Sequence, residues 1–119
     1  MQPHRLEKQF RDLLQPVFPL NASFSVMPSD HDEIRYRVDW KIPAVGRPNR
    51  HSRPIVLRLS SALLEDYESA RTNAIRASID KRMVSHVRAR LATFDPEHDF
   101  PREAVVPEET WVLGTELIG

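Results

Sequence analysis

Glu33-Ile34-Arg35-Tyr36-Arg37-Val38-Asp39-Trp40-Lys41-Ile42 decides the fold class of this chain. Ile34, Tyr36, Val38, Trp40 and Ile42 alternate with Glu33, Arg35, Arg37, Asp39 and Lys41. Successive side chains on an extended chain point to opposite sides, so this period of two predicts a strand with one buried and one wet face. A sheet with a wet outer face needs cover on its inner face only.

The flanking segments supply the rest of that sheet. Upstream, Ala22, Phe24 and Val26 alternate with Ser23 and Ser25, and Pro28-Ser29-Asp30-His31-Asp32 is turn-forming material. Downstream, residues 43–53 carry prolines, a glycine, Asn49 and three arginines, and read as a long hairpin loop. Ile55–Leu59 follows as a third strand with Ile55, Leu57 and Leu59 facing the core, and Thr110–Leu113 is a short last strand.

Two helical segments complete the order. Leu6, Phe10, Leu13 and Leu14, with Val17 continuing the spacing, mark one apolar face of a helix from about Pro3 to Gln15, and Pro16 and Pro19 bar its continuation. A second helix, capped by Ser60 or Ser61, runs to about Thr93. The order α-β-β-β-α-β predicts an α+β fold with a mainly antiparallel sheet and helices packed on one face. Because neighbouring strands usually pair, a meander is the simplest sheet. The 119 residues suit a single domain, with residues 1–94 as the core and 95–119 as a Pro-rich acidic segment ending in a strand.

The second helix carries a conflict. At about 100° per residue, Leu63, Leu64, Tyr67, Ala70, Ala74 and Ile75 share one side. Ile79, Met83, Val84, Val87, Leu91 and Phe94 gather on nearly the opposite side. One straight helix cannot bury both stripes against one sheet. Either the helix breaks near Ser78-Ile79-Asp80, or its second half meets another element. With no Gly or Pro to mark a break, the expectation is a continuous helix whose second stripe meets the first helix, the Trp111 strand or a second copy of the chain. In the last case Ile79, Met83, Val84, Val87 and Leu91 are the candidate interface.

Composition excludes several classes. The chain has no cysteine, which removes disulfide scaffolds, thiolate metal sites and cysteine nucleophiles, and fits a reducing compartment. No run approaches the apolar length of a membrane span, and Met1–Arg11 is polar, so the cytoplasm is the expected location and no membrane partner is expected. The formal net charge is zero but unevenly spread: −2 over Met1–Glu33, +8 over Ile34–Leu91 and −6 over Ala92–Gly119. A basic middle with an acidic tail suggests that the tail lies across the basic surface.

Catalytic and metal motifs are not met. Asp30-His31-Asp32-Glu33 lacks the glycine and distal glutamate of a calcium loop, and Asp95-Pro96-Glu97-His98-Asp99 has no helical histidine pair. There is no Gly-x-Ser-x-Gly elbow, and Gly46, Gly114 and Gly119 are too scattered to cradle a phosphate. No cofactor is expected. The better candidate is a polyanion-binding surface of Arg35, Arg37, Lys41 and Arg58 on the wet strand face, with Arg47, Arg50 and Arg53 on the adjoining loop.

Over Met1–Leu91 the order α-β-β-β-α resembles the double-stranded-RNA-binding domain. That family has a lysine cluster at the start of its second helix, where this chain reads Leu63-Leu64-Glu65-Asp66-Tyr67-Glu68. Acids there would repel phosphate. Pro54-Ile55-Val56-Leu57-Arg58-Leu59-Ser60, the following helix, Phe94-Asp95-Pro96 and the closing Trp111 resemble the small uncharacterised domains found in proteobacterial genomes. That resemblance implies a bacterial origin and assigns no functional residue. The expected function is a non-enzymatic protein-interaction domain, homodimeric if the second stripe is shared between copies, working by edge-strand or helix-face pairing. Binding of nucleic acid or another polyanion is the alternative.

Overall fold

In the computed structural model, which describes residues 6–28, 33–41, 52–94 and 108–114, the α+β order holds. Helix α1 (Glu7–Leu14) tightens into a 3₁₀ turn at Gln15–Val17, where Pro16 has no N–H to continue the ladder. Strands β1 (Ser23–Met27), β2 (Ile34–Asp39) and β3 (Ile55–Leu59) follow, then helices α2 (Ser61–Ser69) and α3 (Asn73–Ala92), and strand β4 (Glu109–Leu113).

The sheet has the order β1-β2-β3-β4. The first three strands form the expected antiparallel meander, with Phe24 opposite Val38 and Tyr36 opposite Leu57. The last strand departs from it: β4 runs parallel to β3, with Leu57 opposite Trp111. A parallel neighbour requires a crossover, and α2 and α3 provide it.

Ile34, Tyr36, Val38, Trp40, Ile55, Leu57, Leu59, Trp111 and Leu113 fill the inner sheet face. Phe10 and Leu14 of α1, Phe18, and residues of α2 and α3 cover them. The rings of Phe10 and Tyr67 meet edge to face with centroids 4.9 Å apart, joining α1 to α2. The Tyr36 hydroxyl donates to the Glu7 carbonyl, which anchors β2 under α1, and burial pushes this phenol far up from its usual pKa. Phe94 stands edge to face with both Trp40 and Trp111, closing the core at the far end of α3.

The expected continuous helix is broken, and not near residues 77–80. It ends at Ser69 and restarts at Asn73, across Ala70-Arg71-Thr72. Ala70 (ψ 130°) and Thr72 (ψ 156°) leave the helical region without any Gly or Pro. Side-chain capping supplies what those residues would have done. The Ile75 N–H donates to Thr72 Oγ1 at 3.2 Å, which caps the start of α3. The Arg76 guanidinium turns back over the end of α2 and donates to the carbonyls of Tyr67 (3.2 Å), Glu68 (3.4 Å) and Ala70 (3.0 Å). The Tyr67 carbonyl also accepts from the Ala70 N–H at 3.4 Å, and Arg76 adds a partner for it and for the Glu68 and Ala70 carbonyls at a helix end, where a cation also meets the negative pole of the helix.

The break resolves the conflict between the stripes. Leu63, Leu64 and Tyr67 of α2 enter the core, and so do Ile79, Met83 and Val87 of α3, reoriented by the kink. Ala74 and Ile75, assigned by spacing to the first stripe, face solvent instead, with Ile75 44% exposed. Ser60, rather than Ser61, caps α2, accepting from the Leu63 N–H at 3.2 Å.

Candidate functional site

The described residues form a sheet with an outer face and two edges, and a polar cleft among the helices, and the sequence candidates fall unevenly among them. On the outer face, cross-strand register aligns Met27, Arg35, Arg58 and Val112 in one row and Ser25, Arg37, Val56 and Thr110 in the next. Arg35, Arg37 and Arg58 therefore do share the wet face.

These arginines are not a bare cationic surface. Glu33 lies at the start of β2 with its side chain only 14% exposed. Its carboxylate accepts a fork from Arg58, Nη2 to Oε1 at 2.7 Å and Nε to Oε2 at 3.0 Å. It accepts a third bond from Arg35 Nε at 3.3 Å. The Arg58 hydrogen bonds, aided by the charges of Arg58 and Arg35, hold the Glu33 carboxyl below its usual pKa against the opposing effect of burial. Arg37 Nε stands 3.6 Å from Glu108. Of the described carboxylates of the acidic segment, Glu108 reaches the basic face and Glu109 does not.

Arg53 lies elsewhere. Its guanidinium rests over the Phe94 ring (5.6 Å to the centroid) and pairs with Glu109 at 3.4 Å. Because Phe94 packs on Trp40 and Trp111, Arg53 belongs to the helix side of the sheet rather than to the outer patch. Lys41 is exposed. Arg47 and Arg50 lie outside the described residues, as do Asp30-His31-Asp32, the 95–99 segment, His4, His51 and most of the 43–53 loop. Among the described residues no group of histidines and carboxylates is arranged to hold a metal ion, and no helix is long and apolar enough to cross a membrane.

The candidate helix interface is occupied by the chain itself. Ile79, Met83 and Val87 are 2%, 0% and 0% exposed, and Val84 and Leu91 pack partly against the same core. Of the coverings expected for this stripe, α1 packs on it, and Trp111 meets its last member, Phe94. His86 is half-buried, and its Nε2 is enclosed without a hydrogen-bond partner among the described residues.

The cleft had no sequence signal. A cavity of about 470 Å³ opens between α1, the end of α2 and the start of α3, lined by Leu6, Gln9, Tyr67, Glu68, Asn73, Arg76, Ala77 and Asp80. Gln9 Nε2 donates to the Tyr67 hydroxyl, which donates in turn to Asp80 Oδ2 at 3.4 Å. Asp80 Oδ1 is sealed from solvent without a hydrogen-bond partner among the described residues. Burial raises the Asp80 pKa, opposed by the Tyr67 hydrogen bond. Burial first, and then the Asp80 charge, raise that of Tyr67. This chain of groups can retain a proton between phenol and carboxyl, but neither partner is activated as a nucleophile. Arg76 is no anion clamp either, because its donors are directed to backbone carbonyls and to Asn73 Oδ1 (3.3 Å). The cleft is chiefly the seam where three helices meet.

Among the described residues the sheet edges are β1 and β4. Sheet edges present unpaired backbone groups that invite another strand, and proteins commonly guard them with charges, prolines or bulges. Strand β1 reads Ser23-Phe24-Ser25-Val26-Met27 and has none of these within it. Its register to β2 runs unbroken for five pairs, and Val26 is 37% exposed. Strand β4 begins with Glu109 and is preceded by Glu108, and its Trp111 and Leu113 are buried in the core.

No family model matches the chain, and no curated protein or solved structure is similar to it.

Proposed function

We propose that this chain is a non-enzymatic protein-interaction domain of the cytoplasm that binds its partner by adding a strand to the β1 edge. The observation that carries this reading is the unguarded edge: five regular, uncharged residues with Val26 and Met27 partly exposed at the rim of the sheet. Strand addition draws affinity from main-chain hydrogen bonds and specificity from alternate side chains. The helix-face route has less support, since its apolar residues are already buried within the chain. The lack of cysteine supports a reducing compartment.

Polyanion binding is the weaker reading, because Arg35, Arg37, Arg53 and Arg58 each hold a carboxylate. Photo-cross-linking in the cell that makes the protein tests the choice. A photoreactive residue in place of Val26 should give protein adducts, and one in place of the exposed Lys81 on α3 should not. Adducts that are absent at Val26, or equal at both positions, would end the β1 reading. Nucleic acid bound at low salt and released at high salt would favour the arginine face instead.

A further inference from the structure

Resting on the β1 reading, we infer that the strand added at this edge is β1 of a second copy, antiparallel about a two-fold axis through Ser25, which makes one eight-stranded sheet across the dimer. An antiparallel pair in a continuous sheet sets residues of the same face opposite each other. Centring on Ser25 uses the whole strand, pairing Phe24 with the second copy's Val26, Ser23 with its Met27, and Ser25 with its Ser25.

The rows so formed are complementary. On the helix side, β2 and β3 continue the Phe24–Val26 pair with Val38 and Ile55 in one direction and Tyr36 and Leu57 in the other, so that row is apolar from end to end. The half-covered Phe24 and the 37% exposed Val26 each gain a neighbour of the same kind. On the outer side, the Met27–Ser23 pair is flanked by Arg35 of one copy and Asp39 of the other, also three strand spacings apart, so this row sets no like charges against each other but adds little attraction. The Ser25 row sets two Arg37 residues three strand spacings apart, about 14 Å, which is beyond the screening length at physiological salt. Arg37 is also already paired to Glu108. No like charges meet directly. Pairing β1 with β4 of another copy would instead be head-to-tail, which leads to rings or open fibres rather than to a two-fold dimer. A five-residue strand pair is a small interface, so the dimer belongs with weak, concentration-dependent associations.

The chain has no cysteine, so a single introduced one reports this geometry directly. Ser25 is exposed on the outer face, and residues opposite each other on antiparallel strands lie within disulfide reach. Under mild oxidation Ser25→Cys should form a disulfide-linked dimer at least about tenfold faster than Val112→Cys, placed on the exposed outer face of β4, because pairing raises the local thiol concentration. The wild-type chain should show a concentration-dependent monomer–dimer equilibrium in sedimentation velocity. The proposal stands only if both hold. A wild-type chain that stays monomeric to near-millimolar concentration overturns it, as does Ser25→Cys reacting no faster than Val112→Cys. If Val26 cross-links in the cell only to other proteins while the chain stays monomeric, self-pairing fails and the β1 edge remains the docking surface.

Discussion

Replacing Arg76 tests how the crossover is built. Its guanidinium makes three hydrogen bonds to carbonyls at the end of α2, at 3.0 to 3.4 Å, and one to Asn73. A buried hydrogen bond from a charged donor is worth about 1.5–3 kcal/mol. Here the cleft admits water to replace part of each, so about 0.5–1 kcal/mol per bond is the better figure, or roughly 2–3 kcal/mol for Arg76→Ala with the helix-pole contribution included. In a domain of this size that lowers Tm by roughly 10 °C. Arg76→Lys keeps the charge at the helix end but loses the fork, and should recover about half of the loss. Urea unfolding followed by fluorescence of the two tryptophans, both buried, measures the change directly, with an unchanged m-value confirming that the native state is still whole. Arg76→Ala within about 0.5 kcal/mol of wild type, or full rescue by Lys, would show that water satisfies those carbonyls and that the fork does not hold the break.

Three further outcomes follow from the same structure. Asp80 has a raised pKa, so the folded chain holds its proton more tightly than the unfolded one; this group's contribution therefore falls as pH rises from the unfolded carboxyl range through the raised folded value. Asp80→Asn should gain about 1 kcal/mol at neutral pH by removing the charge, and the gain should vanish in urea titrations run below pH ~4. Glu33 behaves oppositely, because its lowered pKa supplies stability that is complete above the unfolded carboxyl value and is lost as pH falls through the folded one. Glu33→Gln should cost about 0.5–1 kcal/mol at neutral pH, a modest figure because Arg58 is 42% exposed, and the difference should shrink in acid and at high salt. Trp111 Nε1 is enclosed without a hydrogen-bond partner among the described residues, so Trp111→Phe should cost about 1 kcal/mol, whereas Trp111→Ala should cost about 3–5 kcal/mol in thermal or urea melts.

The strands were the most legible part of this sequence, because the period of two in Ile34–Ile42 and the apolar run Ile55–Leu59 are local signals that need no tertiary context. The end of α2 was not. It is made by Thr72 capping three residues ahead and by Arg76 reaching back over α2, and neither a threonine nor an arginine at those positions is a breaker by type. The parallel placement of β4 follows from how α2 and α3 cross the sheet, and an alternating pattern does not encode strand direction. Among the site residues, alternation correctly put Glu33, Arg35, Arg37 and Arg58 on one face, but it could not show that Glu33 clamps two of those arginines. The cleft was invisible for a related reason: Gln9, Tyr67 and Asp80 are brought together from three helices, and Gln9 and Tyr67 lie 58 positions apart in the chain. The β1 edge became evident only with the sheet order, since a short serine-rich alternation suits an edge and an interior strand alike.

Hydrogen exchange of β1 as a function of protein concentration tests the central claim most directly. The edge reading, with a second copy as the added strand, requires the outward-facing amides of Ser23–Met27 to gain protection as concentration rises, while those of α3 stay constant. Protection in β1 that is the same at every concentration would contradict it.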